Sequence, residues 1–219
     1  MLDTIYLPKL NNLRPTMDST LWKAMEEAGE LARAVLKFLP YEHLSPQEVA
    51  CHSSAAGLLS DVSEELLDVA QTCVTMIFVM EDFYQVRADA LIGEHLAKLR
   101  DKGYCYDFSK SYCIATAGNF KSLNLPRLSL DQVTLLTTVC KIQEEIGELT
   151  QFLGKQSGAS GEASRLSDSE VLAGCAEELL DVAQCCFTMM YILAERYQVD
   201  VEQLVNGHVA KLRRKGYCA

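Results

Sequence analysis

The chain has 219 residues, of which 49% are hydrophobic, and a formal net charge of −10. This hydrophobic content is enough for a packed core and excludes wholesale disorder. The acidic balance argues against non-specific nucleic-acid binding, which needs basic patches to neutralise phosphates.

No basic segment followed by an apolar run opens the sequence, so we expect no signal peptide. The most apolar stretch, residues 66–80, has fifteen residues, whereas a bilayer span needs ~20. It therefore predicts a buried core helix and no membrane contact. Nine cysteines without a Cys-x-x-Cys pair are typical of reduced thiols in a cytoplasmic protein and argue against a zinc site.

Three long helices are predicted in the first half of the chain. Ser19 is a suitable N-cap for the first, Pro40 stops it, and Gly103 closes the third. A short helix is predicted near Pro46. The long helices span about residues 20–39, 60–85 and 88–102.

The second half predicts three corresponding helices, with Ser129 or Asp131 as the first N-cap and Gly216 as the last closing residue. The segment from Gly154 to Ser167 is rich in glycine and serine and predicts a loop. No stretch alternates convincingly with period two, so no sheet is expected. These helices span about residues 132–154, 169–197 and 201–215.

The two halves resemble each other in sequence. Residues 63–105 align without a gap to residues 176–218, with 24 of 43 positions identical, and residues 23–31 match residues 141–149. Such self-similarity indicates a tandem duplication. The predicted organisation is a first repeat at 1–105, a linker at 106–122 that crosses outside the core, and a second repeat at 123–219.

Carboxylates recur at matching places in both repeats. The first helix carries Glu-Glu-x-x-Glu at 26–30 and 144–148, and the second carries Glu-x-x-Asp at 65–68 and 178–181. Residues three or four apart lie on one helical face. Two such helices packed face to face would bring four carboxylates together.

The plainer interpretation is a solvated acidic face, but three observations argue against it. Asp68 and Asp181 lie within apolar segments, no glutamate or aspartate of these motifs has a lysine or arginine four residues later, and the motifs recur although surface charges such as Arg87 and Asp200 differ between the repeats. Clustered charges in an apolar setting need a cation, and oxygen ligands favour Mg²⁺ or Mn²⁺.

The same argument predicts that, without metal, asparagine at position 68 or 181 is at least as stable as the aspartate, because like-charge repulsion disappears. A di-iron helical bundle is the nearest structural competitor. It requires Glu-x-x-His on two helices, and no histidine follows these glutamates at that spacing.

Glu-Glu-x-x-Glu followed by Glu-x-x-Asp on successive helices resembles the all-α nucleoside triphosphate pyrophosphatases, the MazG-like group. The tail His-x-x-Lys-Leu-x-x-x-Gly-Tyr at 95–104 and 208–217 also looks like the end of many small MazG-like sequences. The resemblance covers nearly all of both repeats. It implies an all-α fold of two tandem units packed as an intramolecular pseudo-dimer with a four-helix-bundle-like core, and it allows a homodimer of the tandem chain.

The activity implied by the resemblance is Mg²⁺-dependent hydrolysis of a (d)NTP to the (d)NMP and pyrophosphate, in house-cleaning of the nucleotide pool. Glu26 and Glu144, beside the ligands, are candidate bases or outer-shell partners, and Lys98 and Lys211 are candidate phosphate-binding residues. The implied metal ligands are Glu27, Glu30, Glu65 and Asp68 in the first repeat and Glu145, Glu148, Glu178 and Asp181 in the second.

Other residues near these motifs have simpler expected roles. Lys23 and Lys141 can pair with glutamates three and four residues later. His95 and His208 are expected to be surface or capping histidines, and Trp22 to pack in the core.

Two alternative functions stay open. A non-catalytic, metal-binding helical scaffold or regulator is the alternative outside enzymes, and a phosphoribosyl-ATP pyrophosphatase is the alternative within them. Full carboxylate sets in both repeats favour an enzyme.

Overall fold

A computed structural model describes residues 4–156, 158 and 166–219 of the chain. Helices dominate, as predicted, and the part described also contains a short 3₁₀ turn at Leu39–Tyr41. The helices are α1 (Met17–Phe38), α2 (Pro46–Cys51), α3 (Ser53–Tyr84), α4 (Ala88–Asp101), α5 (Leu135–Gln156), α6 (Asp168–Tyr197) and α7 (Val201–Arg214).

Threonines begin the first long helix of each half. The Thr16 side chain accepts a hydrogen bond from the Ser19 backbone N–H, while the Ser19 hydroxyl accepts one from the Thr16 N–H. Thr134 makes the same reciprocal bonds at the start of α5. The N-caps predicted at Ser19 and at Ser129 or Asp131 are therefore wrong, because a serine or threonine at the third helical position completes a capping box with the threonine before it.

Helix ends in the two halves also correspond. Gln85 and Gln198, with φ of 59° and 58°, follow α3 and α6 in the left-handed conformation. Gly103 and Gly216, with φ of 81° and 71°, follow α4 and α7, which confirms their predicted role. The short helix near Pro46 is confirmed as α2. Most of the loop predicted before Ser167, namely residues 157 and 159–165, lies outside the described residues.

Four long helices build the core. Helix α1 packs along α3 and α5 along α6, while contacts of α1 with α5 and of α3 with α6 join the pairs. Between residues 66 and 80 of α3, every residue except Asp68 is buried, which confirms the predicted core helix. Among the described residues, no helix is long and apolar enough to cross a membrane. The cytoplasmic location stays a prediction.

A small antiparallel sheet contradicts the expectation that there would be none. Strand β1 (Ile5–Pro8) pairs with β3 (Phe120–Asn124), which pairs with β2 (Cys113–Ala117). Gly118, with φ of 63°, lies in the turn between β2 and β3. Strands of four or five residues are too short to establish a period-two pattern, which is why the sequence pattern missed them.

Part of the sheet comes from the segment predicted to cross outside the core. Ile114 belongs to the hydrophobic core, and the Lys121 side chain is fully buried. Its Nζ donates to Glu81 Oε2 at 2.6 Å and to Thr116 Oγ1 at 2.7 Å. The prediction that residues 106–122 lie outside the core is therefore wrong at these positions.

Lys121→Ala tests the packing of the sheet. We expect the free energy of unfolding to fall by about 3–5 kcal/mol, because the partly buried Glu81 loses its partner. Lys37→Ala, at an exposed position in the last turn of α1, is the control and should cost below about 1 kcal/mol. Urea unfolding measures both, and equal losses would contradict the described burial of Lys121.

Candidate metal centre

A first acidic cluster lies between α1 and α3. Glu27 and Glu30 share one face of α1, and Glu65 lies on the face of α3 that packs against it. One carboxylate oxygen from each lies within 4.8 Å of the others. The i, i+3 spacing on α1 and the packing of α1 along α3 bring them together.

The second half contains a corresponding but different cluster. Glu145 on α5 meets Glu178 and Asp181 on α6, again with carboxylate oxygens within 4.8 Å of one another. All three residues are buried, whereas only Glu27 of the first cluster is buried. The second cluster is therefore the less hydrated of the two.

Each cluster contains three of the four carboxylates that the sequence implied. Asp68 and Glu148 are the two left outside. The Asp68 carboxylate accepts hydrogen bonds from Lys211 Nζ at 2.8 and 3.0 Å, and Glu148 is exposed. Both stay close enough to act electrostatically, since Asp68 raises the pKa of Glu27 and Glu148 raises that of Glu178.

Lysines from the opposite half neutralise both aspartates. Lys98 on α4 lies 2.7 Å from Asp181 and 2.6 Å from Glu177, while Lys211 on α7 lies 2.8 Å from Asp68. A phosphate-binding role for Lys98 and Lys211 stays a prediction. Their observed partners are carboxylates, which no spacing within one helix could have shown.

Lysines one turn earlier on the same helix pair with the glutamates, as predicted. Lys23 Nζ lies 2.5 Å from Glu27 and 3.1 Å from Glu26. Burial opposes the charge of Lys23, but these contacts outweigh it and raise its pKa to about 12. Lys141 makes the same contacts with Glu145 and Glu144.

The two candidate bases face solvent. The side chains of Glu26 and Glu144 are 58% and 57% exposed, and neither belongs to a carboxylate cluster among the described residues. Their geometry gives no support to a base role.

Burial and neighbouring charges shift the pKa values of the clustered carboxylates. Burial raises the pKa of Glu27, Glu65 and Glu178 above the ordinary glutamate value, and neighbouring carboxylates raise it further. Asp181 is also penalised by burial, yet His95 and Lys98 outweigh this penalty and lower its pKa. Without a cation, the glutamates therefore hold protons more readily than glutamates in water.

Two buried histidines accompany the aspartates. His95 Nδ1 lies 3.3 Å from an Asp181 oxygen, and His208 Nδ1 lies 3.6 Å from an Asp68 oxygen. Neither ring makes a hydrogen bond with the residues described, and burial lowers the pKa of His208 to about 4. The expectation of surface or capping histidines is wrong. The sequence did contain a signal for this placement: histidine and lysine are three residues apart in the tail motif, which puts both side chains on one face of the helix.

Trp22 is not a core residue. It is 69% exposed on α1, so the expectation of core packing is also wrong.

Each cluster borders a cavity. The first, of about 460 Å³, is lined by Glu27 and Asp68, and the second, of about 180 Å³, by Glu145 and Asp181. Two larger cavities, of about 650 and 540 Å³, contain none of the clustered carboxylates. The cavities relevant to metal binding are therefore those of about 460 and 180 Å³.

Both clusters fit a hard divalent cation. Their donors are carboxylate oxygens only, which suits Mg²⁺, Mn²⁺ or Ca²⁺. Metal–oxygen distances of about 2.0–2.6 Å place ligands on opposite sides of an ion at about 4–5 Å, comparable with the observed limit of 4.8 Å.

In comparisons with protein-family models, curated proteins and solved structures, nothing matches this chain.

The lysine contacts reverse the expectation for asparagine at position 181. In EDTA, we expect Asp181→Asn to lower the free energy of unfolding by about 1.5–3 kcal/mol, because Lys98 loses a charged hydrogen bond. The pKa of Asp181 in the folded protein is lowered from the ordinary value of 3.8. The stability that the ionised carboxylate contributes is therefore fully present above the ordinary pKa and is lost as the pH falls through the folded-state pKa.

Thermal and urea unfolding at pH 7 and pH 3 measure this difference. Asp61→Asn, at an exposed position on α3, serves as the control and should change stability by less than about 0.5 kcal/mol. If Asp181→Asn were as stable as the parent at pH 7, the original expectation would hold, namely that removing like-charge repulsion makes asparagine at least as stable as aspartate.

Proposed function

We propose that the chain is a Mg²⁺-dependent nucleoside triphosphate pyrophosphohydrolase related to the MazG-like group. The supporting observation is the convergence of motif glutamates from successive helices: Glu27 and Glu30 with Glu65, and Glu145 with Glu178. These are the positions that the resemblance assigns to metal. The second set is also buried throughout, and Glu27 of the first set is buried as well.

We also propose that the two repeats arose by duplication and form an intramolecular pseudo-dimer. In a two-fold arrangement, each contact occurs twice with the partners exchanged. The pairs Lys98–Asp181 and Lys211–Asp68 have this reciprocity. Corresponding glutamines behave alike as well, since Gln71 donates to the Pro8 carbonyl and Gln184 to that of Pro126, both at 2.9 Å.

The acidic clusters would hold the metal, with Asp68 and Glu148 available to complete each set. Bound Mg²⁺ supplies charge neutralisation for a polyphosphate and activation of water. The chain itself orients the carboxylates through the packed helices, and Lys23 and Lys141 hold Glu27 and Glu145 in place.

Asp68 contacts Lys211 and lies outside its cluster, whereas the corresponding Asp181 belongs to its cluster while paired with Lys98. A shift of the Asp68 side chain that keeps the Lys211 contact would therefore give the arrangement already present at Asp181.

A non-catalytic scaffold is the second candidate, and one observation favours it. The aspartates already have cationic partners in Lys98 and Lys211, so their charges are compensated without metal. In that case the clusters serve assembly of the two halves.

An assay of pyrophosphate release from a panel of (d)NTPs with Mg²⁺ separates the two functions. We expect hydrolysis by the parent and at least about a 100-fold loss in the double variant Glu65→Gln, Glu178→Gln, because each substitution removes a charged ligand. Asp61→Asn should retain full activity. No hydrolysis by the parent would favour the scaffold, and an unchanged rate in the double variant would contradict catalysis at these clusters.

A further inference from the structure

The two cavities beside the clusters are built from corresponding parts of the two repeats but differ in size. The cavity of about 460 Å³ lies within the range of small-molecule sites, about 300–1,000 Å³, whereas the cavity of about 180 Å³ lies below it. The larger one combines α1 and α3 of the first half with Leu212, Lys215 and Tyr217 of the second. The smaller combines α5 and α6 with Leu99, Lys102 and Tyr104 of the first half.

Different backbone paths before α1 and α5 accompany the difference in size. Arg14 and Pro15 line the larger cavity, and the residue before a proline is held away from the helical region. At the corresponding place before α5, Gln132 adopts a left-handed conformation with φ of 58°. Gln132 does not line the smaller cavity, where Val133 stands at the place of Pro15.

The larger cavity also has more positively charged side chains that are not paired with a described carboxylate. Arg14 and Lys215 line the larger cavity and make no ion pair with any described residue. In the smaller cavity, Lys98 and Lys141 are engaged by carboxylates, and only Lys102 has no such partner within the described part of the chain. The larger cavity therefore offers more uncommitted positive charge to a polyphosphate.

The wall of the larger cavity also contains an unused acceptor. Gln71 is 4% exposed, and its Oε1 has no hydrogen-bond partner among the described residues. Its Nε2 donates to the Pro8 carbonyl at 2.9 Å, and an amide flip would set two oxygens against each other, which fixes Oε1 as the free atom. Gln184 lines the smaller cavity with the same exposure, the same donation to a proline carbonyl and the same unpaired Oε1. This acceptor is therefore common to both cavities, and the difference between them lies in size and charge.

We propose that only the cavity bordered by Glu27 and Asp68 takes the nucleoside triphosphate, with Arg14 contacting its phosphates. The cavity bordered by Glu145 and Asp181 has room for a cation but not for a nucleoside. The second repeat is nevertheless required, because Lys215 and Tyr217 form part of the substrate cavity. This assignment rests on the proposed function and names which of its two sites carries it.

A calorimetric titration tests the assignment. The full chain with Mg²⁺ is titrated with the α,β-methylene analogue of the triphosphate that is hydrolysed best, since this linkage resists cleavage. We expect one nucleotide per chain. Arg14→Gln should weaken binding at least about tenfold, because a charged contact to phosphate is lost, and the loss should grow at low salt.

Gln132→Arg is the matched control, since it places an arginine at the corresponding position of the other repeat. It should leave the affinity and the stoichiometry unchanged. Two nucleotides per chain, or an affinity that does not fall in Arg14→Gln, would overturn the assignment while leaving the hydrolase proposal intact. Absence of hydrolysis by the parent would instead remove the proposed function itself.

Discussion

Carboxylates packed between long apolar helices are the constraint on which the rest of the structure depends. An isolated charge in such a place is costly, and several together are costlier still, so each must find a cation, a proton or a hydrogen-bond donor. The chain uses lysines one turn earlier for Glu27 and Glu145 and lysines from the opposite half for Asp68 and Asp181. The association of the halves is thereby coupled to the state of the acidic sites.

This coupling gives the second half of the chain a role beyond its own cluster. Helix α7 contributes the partner of Asp68 and part of the larger cavity, and α4 contributes the partner of Asp181. Neither half would complete its site alone. Under the proposed function, such mutual completion would allow one site to lose substrate binding while its half of the chain is still needed for the other.

Features that depend on residues close in sequence could be predicted from the sequence. The long helices, the closing glycines, the short helix at Pro46 and the pairing of Lys23 with Glu27 follow from periodicity, backbone preference and i, i+4 spacing. Features that depend on distant residues could not. The partners of Asp68 and Asp181 lie 143 and 83 residues away, and the three strands are too short to show alternation.

Divalent-cation binding by the two clusters is the proposal on which the hydrolase function depends. Equilibrium binding of Mn²⁺, followed by its electron paramagnetic resonance signal, tests this claim independently of any substrate. We expect the parent to bind Mn²⁺ in competition with Mg²⁺ and the Glu65→Gln, Glu178→Gln double variant to lose this binding while remaining folded, because each cluster loses a charged oxygen ligand. Undetectable Mn²⁺ binding by the folded parent, or equal binding by parent and double variant, would contradict it.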